Sequence, residues 1–536
     1  RIQPSLGLVK PGLVNGYGKG ACILPHGVLF RGNAEAVIRE KLVRSGILKG
    51  IIGLPGNLFY GTGIPACILV LDKENASARK GIFMIDASKG FIKDGPKNRL
   101  REQDIHKIVD AFSKLAELPR YSRMVSITEI ADSKNDYNLN LPRYIDNTEP
   151  EDIQDIDGHL RGGIPERDLD ALGDYWKVIP GVRNVLFESA GRVGYTQLKL
   201  PIAEVKTTIF AHPEFTAFNQ AATKVFTDWK QASSPLLKGF AQNGHPKALI
   251  EALSEDLLAR FKPTPLVNAY DVYQHLMDYW AETMQDDCYL IADAGWQEGA
   301  QPREILQVKN KDGKLAWPEA HDYKKGKRRF KSDLIPAPIL IARYFVAERG
   351  AISSLENLLS DTEQKLLEMM EEHSSEDGLL YEVFRSEEDD EKQKLTKAFL
   401  DERKKVIKAR LKEIGKDPDY ADECEALQDY AALRDKQTDI KAKLKAVQDD
   451  LEAKLDAKYP KLTEDEIKAL VVDDKWLATL ANAVQGELDR VSQTLTRRIR
   501  QLAERYATPL PLLTKELATL SARVDEHLKK MGAVWN

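Results

Sequence analysis

The residues whose types and spacing could do chemistry lie in two loops near the start of the chain and in one basic run further on. His26 follows Pro25, directly after the apolar run Ala21–Leu24. A histidine just beyond the carboxyl end of a strand can reach a ligand or move a proton near neutral pH, and it can equally satisfy local backbone groups. Phe59-Tyr60-Gly61-Thr62-Gly63 separates two β-rich runs. Aromatic rings on a glycine loop can stack on a flat base, as enzymes that extrude bases require, or they can pack beneath the loop as core. Lys324-Lys325-Gly326-Lys327-Arg328-Arg329-Phe330-Lys331 is the densest basic run. Its Lys324, Lys325, Arg328 and Arg329 are candidate phosphate contacts, with Tyr323 and Phe330 able to stack; the alternative is a solvated loop. Gly16-Tyr17-Gly18-Lys19-Gly20 has the composition of a nucleotide loop, yet its glycines precede a strand instead of following one and opening a helix. A plain turn is the better reading. His159 and His212 stand beside glycine or proline with no spaced metal partners, and structural roles fit them better. No GxSxG, HExxH or Walker pattern occurs.

The elements that must position these residues follow from periodicity. Within Gly20–Asp72, the short run Ala21–Leu24 is followed by Ala34–Val43, whose Ala34, Val37, Ile38 and Leu42 fall at helical spacing before Gly46. Ile47–Leu54, Ala66–Leu71 and Gly81–Asp86 are β-rich, and Arg101–Leu115 returns to helical spacing. Strands that flank a helix and end in polar glycine loops are how an open α/β sheet presents a ligand, beyond the carboxyl ends of its strands. Residues 1–145 are therefore expected to be the C-terminal half of an α/β domain that the chain enters part-way. Residues 146–340 alternate irregularly between strand-like and helical pieces and read as a mixed domain. Residues 341–536 read as a long helical arm. Ile352, Leu355, Leu359, Thr362, Leu366 and Met369 make one heptad series, and Tyr430, Leu433, Gln437, Ile440, Leu444, Val447 and Leu451 another. Thr463 with Glu466 makes a capping box. A third stripe runs from Leu480 through Val484, Leu488, Val491, Leu495 and Ile499 to Leu502, with Pro509 and Pro511 expected to stop it. Such seams suit protein–protein contact.

Composition narrows the function classes. At 536 residues the chain exceeds one core, so several domains are expected. A net charge of −5 excludes a generic polyanion binder and confines nucleic-acid contact to a local patch or a partner. The four cysteines, Cys22, Cys67, Cys288 and Cys424, are widely separated and include no CxxC pair, so reduced thiols of a cytoplasmic protein fit better than a zinc site or disulfide framework. No apolar run reaches membrane-spanning length.

Several segments resemble one family. ILPHGVLFRG (23–32), GLPGNLFYGTGIPACILVL (53–71), FMIDAS (83–88) and NDYNLNLPRYID (135–146) resemble the modification subunit of type I restriction–modification systems. RIQPSLGL (1–8), HLRGGIP (159–165), HPEFTAFN (212–219) and 470–511 are similar to further parts of the same subunits, so the resemblance extends along the chain. It implies an adenine-N6 DNA methyltransferase that uses S-adenosylmethionine, with a partial Rossmann-like methyltransferase sheet, a mixed α/β region and a helical C-terminal arm. It also implies DNA, a DNA-specificity subunit, a restriction (translocase/nuclease) subunit and a second modification subunit as partners, in the cytoplasm, with no membrane. Carried over, His26, Phe59 and Tyr60 lie nearest the flipped adenine, shaping and stacking. The family's FxGxG-type cofactor loop and Asn-Pro-Pro-Phe tetrapeptide are absent, and no Pro-Pro pair occurs. The expectation is that no catalytic or cofactor-binding residue lies in this chain, that the cofactor residues lie upstream of Arg1, and that the chain alone is inactive. The start at Arg1, without methionine, favours truncation. Two other classes compete: a non-catalytic scaffold holding a specificity subunit, and a nucleic-acid-binding protein using the 324–331 run.

Overall fold

A computed structural model describes residues 18–148, 153–309, 311, 313–373, 378–381, 397–415 and 417–531. The segment RIQPSLGL and the first two residues of the glycine run 16–20 lie outside them. Contacts divide the chain into two units. One is Arg1–Pro235 with Lys247–Met284 and Thr479–Asn536; the other is Leu236–Pro246 with Gln285–Ala478. They cut across the sections 1–145, 146–340 and 341–536, because helices far apart in sequence share a core. In the first unit the Tyr506 hydroxyl reaches Asp168 (3.2 Å), and its ring lies 5.0 Å from that of His159.

The first unit holds a five-stranded sheet. Its strands are β1 (Lys19–Pro25), β2 (Leu48–Gly53), β3 (Ala66–Asp72), β4 (Gly81–Asp86) and, after the small hairpin β5 (Ile92–Asp94) and β6 (Lys97–Arg99), β7 (Ser122–Ser126). The order is β1-β3-β2-β4-β7. β1, β2 and β4 share one direction; β3 and β7 oppose it, so β2–β4 is the one parallel pair in this sheet. The expected α/β character is present, but the sheet is mixed. The loop from β2 into β3 carries no helix and returns the chain antiparallel beside β2.

Alternation of side chains builds two cores. Ile51, Ile82 and Met84 face one layer with Leu42, Val43 and Leu141; Ile52, Phe83 and Ile85 face another with Ile108 and Ala111. The helices Ala34–Arg44 and Glu102–Lys114 thus cover opposite faces. β2 is buried along nearly its whole length, whereas β1, at the sheet edge, is exposed at alternate residues. The helix Ala34–Arg44 falls where periodicity predicted it, but it buries Arg39, Leu42 and Val43 and leaves Val37 exposed.

In the second unit, helices Val346–His373 and Ala421–Lys458 pack antiparallel, since Glu348 meets Lys454 (2.8 Å) while Glu363 meets Gln437 (2.8 Å) and Lys441 (2.9 Å). The capping box at Thr463 forms: its hydroxyl accepts from Glu466 N (3.3 Å), and the Glu466 carboxylate accepts from Thr463 N (2.9 Å). A π-helical stretch, Ala469–Leu477, follows. It carries a buried ion pair between Lys475 Nζ and Asp287 Oδ2 (2.7 Å), and Trp476 Nε1 donates to the same oxygen (2.7 Å). Back in the first unit, the stripe Leu480–Leu502 is buried as its spacing requires, and the helix ends at Tyr506. Pro509 and Pro511 do more than stop it. They open a further helix, Leu510–Lys530, because proline is tolerated in a first turn where its missing N–H has no partner to lose. Among the described residues no helix is long and apolar enough to cross a membrane.

Candidate functional site

The carboxyl ends of β1, β2 and β4 meet at one edge of the sheet. Register aligns Pro25 with Ala66, Gly53 with Cys67, and Gly53 with Asp86. Beyond β1 the chain turns into a short 3-10 helix, His26–Leu29. His26 N donates to Pro65 O (3.1 Å), tying the turn to the end of the glycine loop. The His26 ring is half-buried, and its Nε2 is buried with no hydrogen-bond partner among the described residues. Burial pushes its pKa below the ordinary value and outweighs the opposing pull of Asp86, so the imidazole is neutral at pH 7. Gly53 leaves room for this arrangement: a Cβ there would collide with Leu141 Cδ1 and come 3.5 Å from His26 Nε2.

Arg39 holds the turn from behind. It is 6% exposed and donates to Tyr137 O (2.9 Å), Val28 O (3.1 Å) and Arg31 O (2.8 Å). Asp86 ends β4. Its carboxylate accepts from Ser88 N (3.0 Å) and Asn147 Nδ2 (2.6 Å). Neither residue was singled out in the sequence. An acidic side chain directly after the apolar run IFMI was the available signal for Asp86, whereas a charged residue on a helix reads as solvated.

The loop between β2 and β3 carries Phe59 and Tyr60, which are 39% and 94% exposed. Asn57 adopts a left-handed backbone (φ 57°) and its N–H reaches Gly63 O (3.3 Å). The hairpin β5–β6 fastens the loop from outside. Asn98 N donates to Asn57 O (2.9 Å), Asn98 Nδ2 to Gly56 O (2.8 Å), and Lys97 Nζ to Phe59 O (2.7 Å) and Thr62 O (3.3 Å). His26 and the Phe59–Tyr60 loop therefore belong to the same sheet edge.

The basic run belongs to the other unit. It forms a hairpin of Tyr323–Lys325 and Arg328–Lys331. Lys324 meets Glu452 (3.5 Å), Lys325 meets Asp456 (2.9 Å), Arg328 meets Glu304 (3.6 Å), and Arg329 lies 4.3 Å over the Trp317 ring. Tyr323 and Phe330 stack on each other at 5.3 Å. His159 pairs with Gln154 (2.7 Å), and the ring of His212 accepts from Glu214 N (3.3 Å).

Residues 13–153, which include the whole of this sheet, match the model of the family described as N-6 DNA Methylase. This stretch resembles an N-6 DNA methylase. This methylase-like segment is similar to methylase subunits of type I restriction enzymes. The MjaVII subunit of Methanocaldococcus jannaschii is 39% identical over 143 residues, 26% of this chain and 24% of the relative. The MpnII subunit of Mycoplasma pneumoniae is 34% identical over 139 residues, 26% of this chain and 25% of the relative. The match thus spans about a quarter of the length of these curated relatives. A solved type I methyltransferase subunit from Streptococcus thermophilus is 42% identical over 24% of this chain and 26% of that chain, with a TM-score of 0.22.

Proposed function

We propose that this chain acts as the modification subunit of a type I restriction–modification enzyme, methylating adenine N6 in DNA with S-adenosylmethionine as methyl donor. The observation that carries this reading is that the methylase segment coincides with the sheet whose edge bears His26 and the exposed aromatic loop. In it, the target adenine leaves the duplex and enters beside that edge. Phe59 and Tyr60 supply stacking faces. His26, neutral and half-buried, shapes the cleft wall, with Arg39 and Gly53 fixing its position. The edge of β1, unpaired among the described residues, is where further strands of a Rossmann-like sheet would pair.

In this reading the glycine run is not the cradle of the methyl donor, since it leads into β1 and not into a helix N-terminus. The chain's share of the work is on the target-base side, within a methyltransferase section taken as 1–145. Section 146–340 is a candidate for DNA contact. For Lys324, Lys325, Arg328 and Arg329 to bind phosphate they must leave their present partners; exposed ion pairs contribute only about 0–1 kcal/mol, so the exchange is easy. Section 341–536 serves assembly with a DNA-specificity subunit, a restriction subunit and a second modification subunit in the cytoplasm. Leu510, Leu513, Leu517, Leu520 and Val524, all exposed and spaced by three and four, form a seam for a partner helix. That seam also favours a second reading, a non-catalytic scaffold for the specificity subunit.

One experiment separates the two. The full-length protein is co-purified with a specificity subunit and incubated with DNA and isotopically labelled donor, and the digested nucleosides are analysed by mass spectrometry. Labelled N6-methyladenine supports the enzyme reading, and complex formation without it supports the scaffold. Failure of both refutes both.

A further inference from the structure

Beyond His26 and the aromatic loop, a cavity of about 380 Å³ opens next to the carboxyl end of β4, lined by Asp86, Lys89, Arg101, Lys107, Arg120 and Tyr121 among others. Its charges divide into those already held and those left over. Both Asp104 oxygens are taken by Arg101 (2.8 and 2.9 Å). Asp271 accepts from Gln103 (3.0 Å) and Arg490 (3.0 Å), and Asp86 accepts from Ser88 and Asn147 as described above. Lys89 donates to Asn147 O.

Lys107 and Arg120 remain. Neither has an ion-pair partner among the described residues. The Lys107 ammonium sits 4.1 Å above the Tyr121 ring, and burial lowers its pKa against the pull of Asp104 and Asp271. The Tyr121 hydroxyl is buried with no hydrogen-bond partner among the described residues. A half-buried cation that only distant carboxylates attract and a buried phenol without an acceptor can both take the same thing, a directly bonded anionic oxygen. Arg120, exposed and held in a left-handed backbone (φ 61°), stands at the same cavity as a second donor.

We infer that this cavity is a phosphate site, in which Lys107 and Arg120 supply charge-assisted hydrogen bonds to the oxygens and the Tyr121 hydroxyl is the adjacent neutral donor. The phosphate is either a DNA phosphodiester or a free phosphate group. Only the DNA arm rests on the function proposed above.

The test uses the full-length protein with Lys107→Gln, Arg120→Gln and the conservative Lys107→Arg, each checked for an unchanged melting temperature. Arg120 is exposed, so its variant keeps the test usable if Lys107→Gln fails to fold. In the first arm, inorganic phosphate is titrated calorimetrically. Binding by wild type, weakened about tenfold or more in both glutamine variants and retained in Lys107→Arg, supports the site. In the second arm, affinity for a short duplex is measured against salt. A slope reduced by about 0.9 for each glutamine variant identifies the DNA backbone as the source. Loss of phosphate binding with an unchanged slope identifies a free phosphate instead. No phosphate binding by wild type together with unchanged slopes overturns the inference. If neither wild type nor its complex with the specificity subunit binds DNA, the proposed function fails, and the phosphate arm alone decides the cavity.

Discussion

Replacing Arg39 with methionine tests whether the turn that carries His26 is held from behind. Methionine keeps much of the aliphatic stem and removes three N–H donors, leaving Tyr137 O, Val28 O and Arg31 O short of a partner. A hydrogen bond from a charged donor contributes about 1.5–3 kcal/mol, but the three share one guanidinium and are not additive, and the thioether recovers some packing. A net loss of about 3 kcal/mol is expected. At about 2–4 °C per kcal/mol for a large domain, the melting temperature should fall by roughly 6–12 °C in scanning calorimetry. Lysine in place of arginine can reach one of the carbonyls at a time and should lose most of the same stability. The local consequence is separate from the global one. Once the turn loosens, His26 gains water and its titration, followed by NMR, should move up toward the ordinary histidine value. A melting temperature within about 2 °C of wild type, with an unmoved His26 titration, would refute the reasoning.

The other predictions concern sites with different physics. Tyr60→Ala should leave the melting temperature unchanged, because the ring is solvent-exposed, and should abolish the fluorescence rise of 2-aminopurine placed at the target base; an intact rise removes Tyr60 from the stacking role. His275 lies 3.5 Å from Glu487. Its pKa is raised by the hydrogen bond to Glu487, and that carboxyl is driven down to about 2 by His275 and Arg490 against the opposing effect of burial. The stabilisation from charged His275 is full below its unfolded value and is lost as pH rises through the raised folded value. His275→Gln should therefore destabilise more near about pH 5.5 than near about pH 8.5, and equal losses at both would disprove the pairing. His26 has the opposite sign: its lowered pKa means that stability is lost as pH falls below about 6.5, so His26→Gln should flatten that acid limb of the melting curve. Lys475→Met leaves Asp287 buried without its cation and should cost about 3–5 kcal/mol, read by urea unfolding; the double replacement Lys475→Met with Asp287→Leu should recover much of it.

The elements near the site were legible because their signals are local. Gly81–Asp86 coincides with β4, and the helix Ala34–Arg44 begins where periodicity set it. His26 could be found because proline ends the strand before it, and the Phe59–Tyr60 loop because glycines bracket it. What was not legible depends on partners far away in sequence. The run 324–331 displays its charge openly, but nothing nearby reveals that Glu452 and Asp456 will face Lys324 and Lys325, or that Tyr323 and Phe330 will occupy each other. Nothing in the helix itself marks Arg39 among its charged residues, since its three carbonyl acceptors lie in other segments. The π-helical turn at Ala469–Leu477 was hidden for a similar reason: the capping box at Thr463 specifies where a helix starts, not how its hydrogen-bond register continues.

The fastening of the glycine loop by β5–β6 has a thermodynamic meaning. Four carbonyls of the loop, those of Gly56, Asn57, Phe59 and Thr62, are tied to Lys97 and Asn98, so its backbone entropy is surrendered during folding and not when a ligand arrives. Fixing a residue's backbone costs on the order of 1–2 kcal/mol. A free loop of this length would have to charge that sum against every encounter with a base. Tyr60 is instead offered to solvent on a backbone already ordered, with only its side-chain torsions left to settle. Most of the free energy of stacking can then appear as affinity.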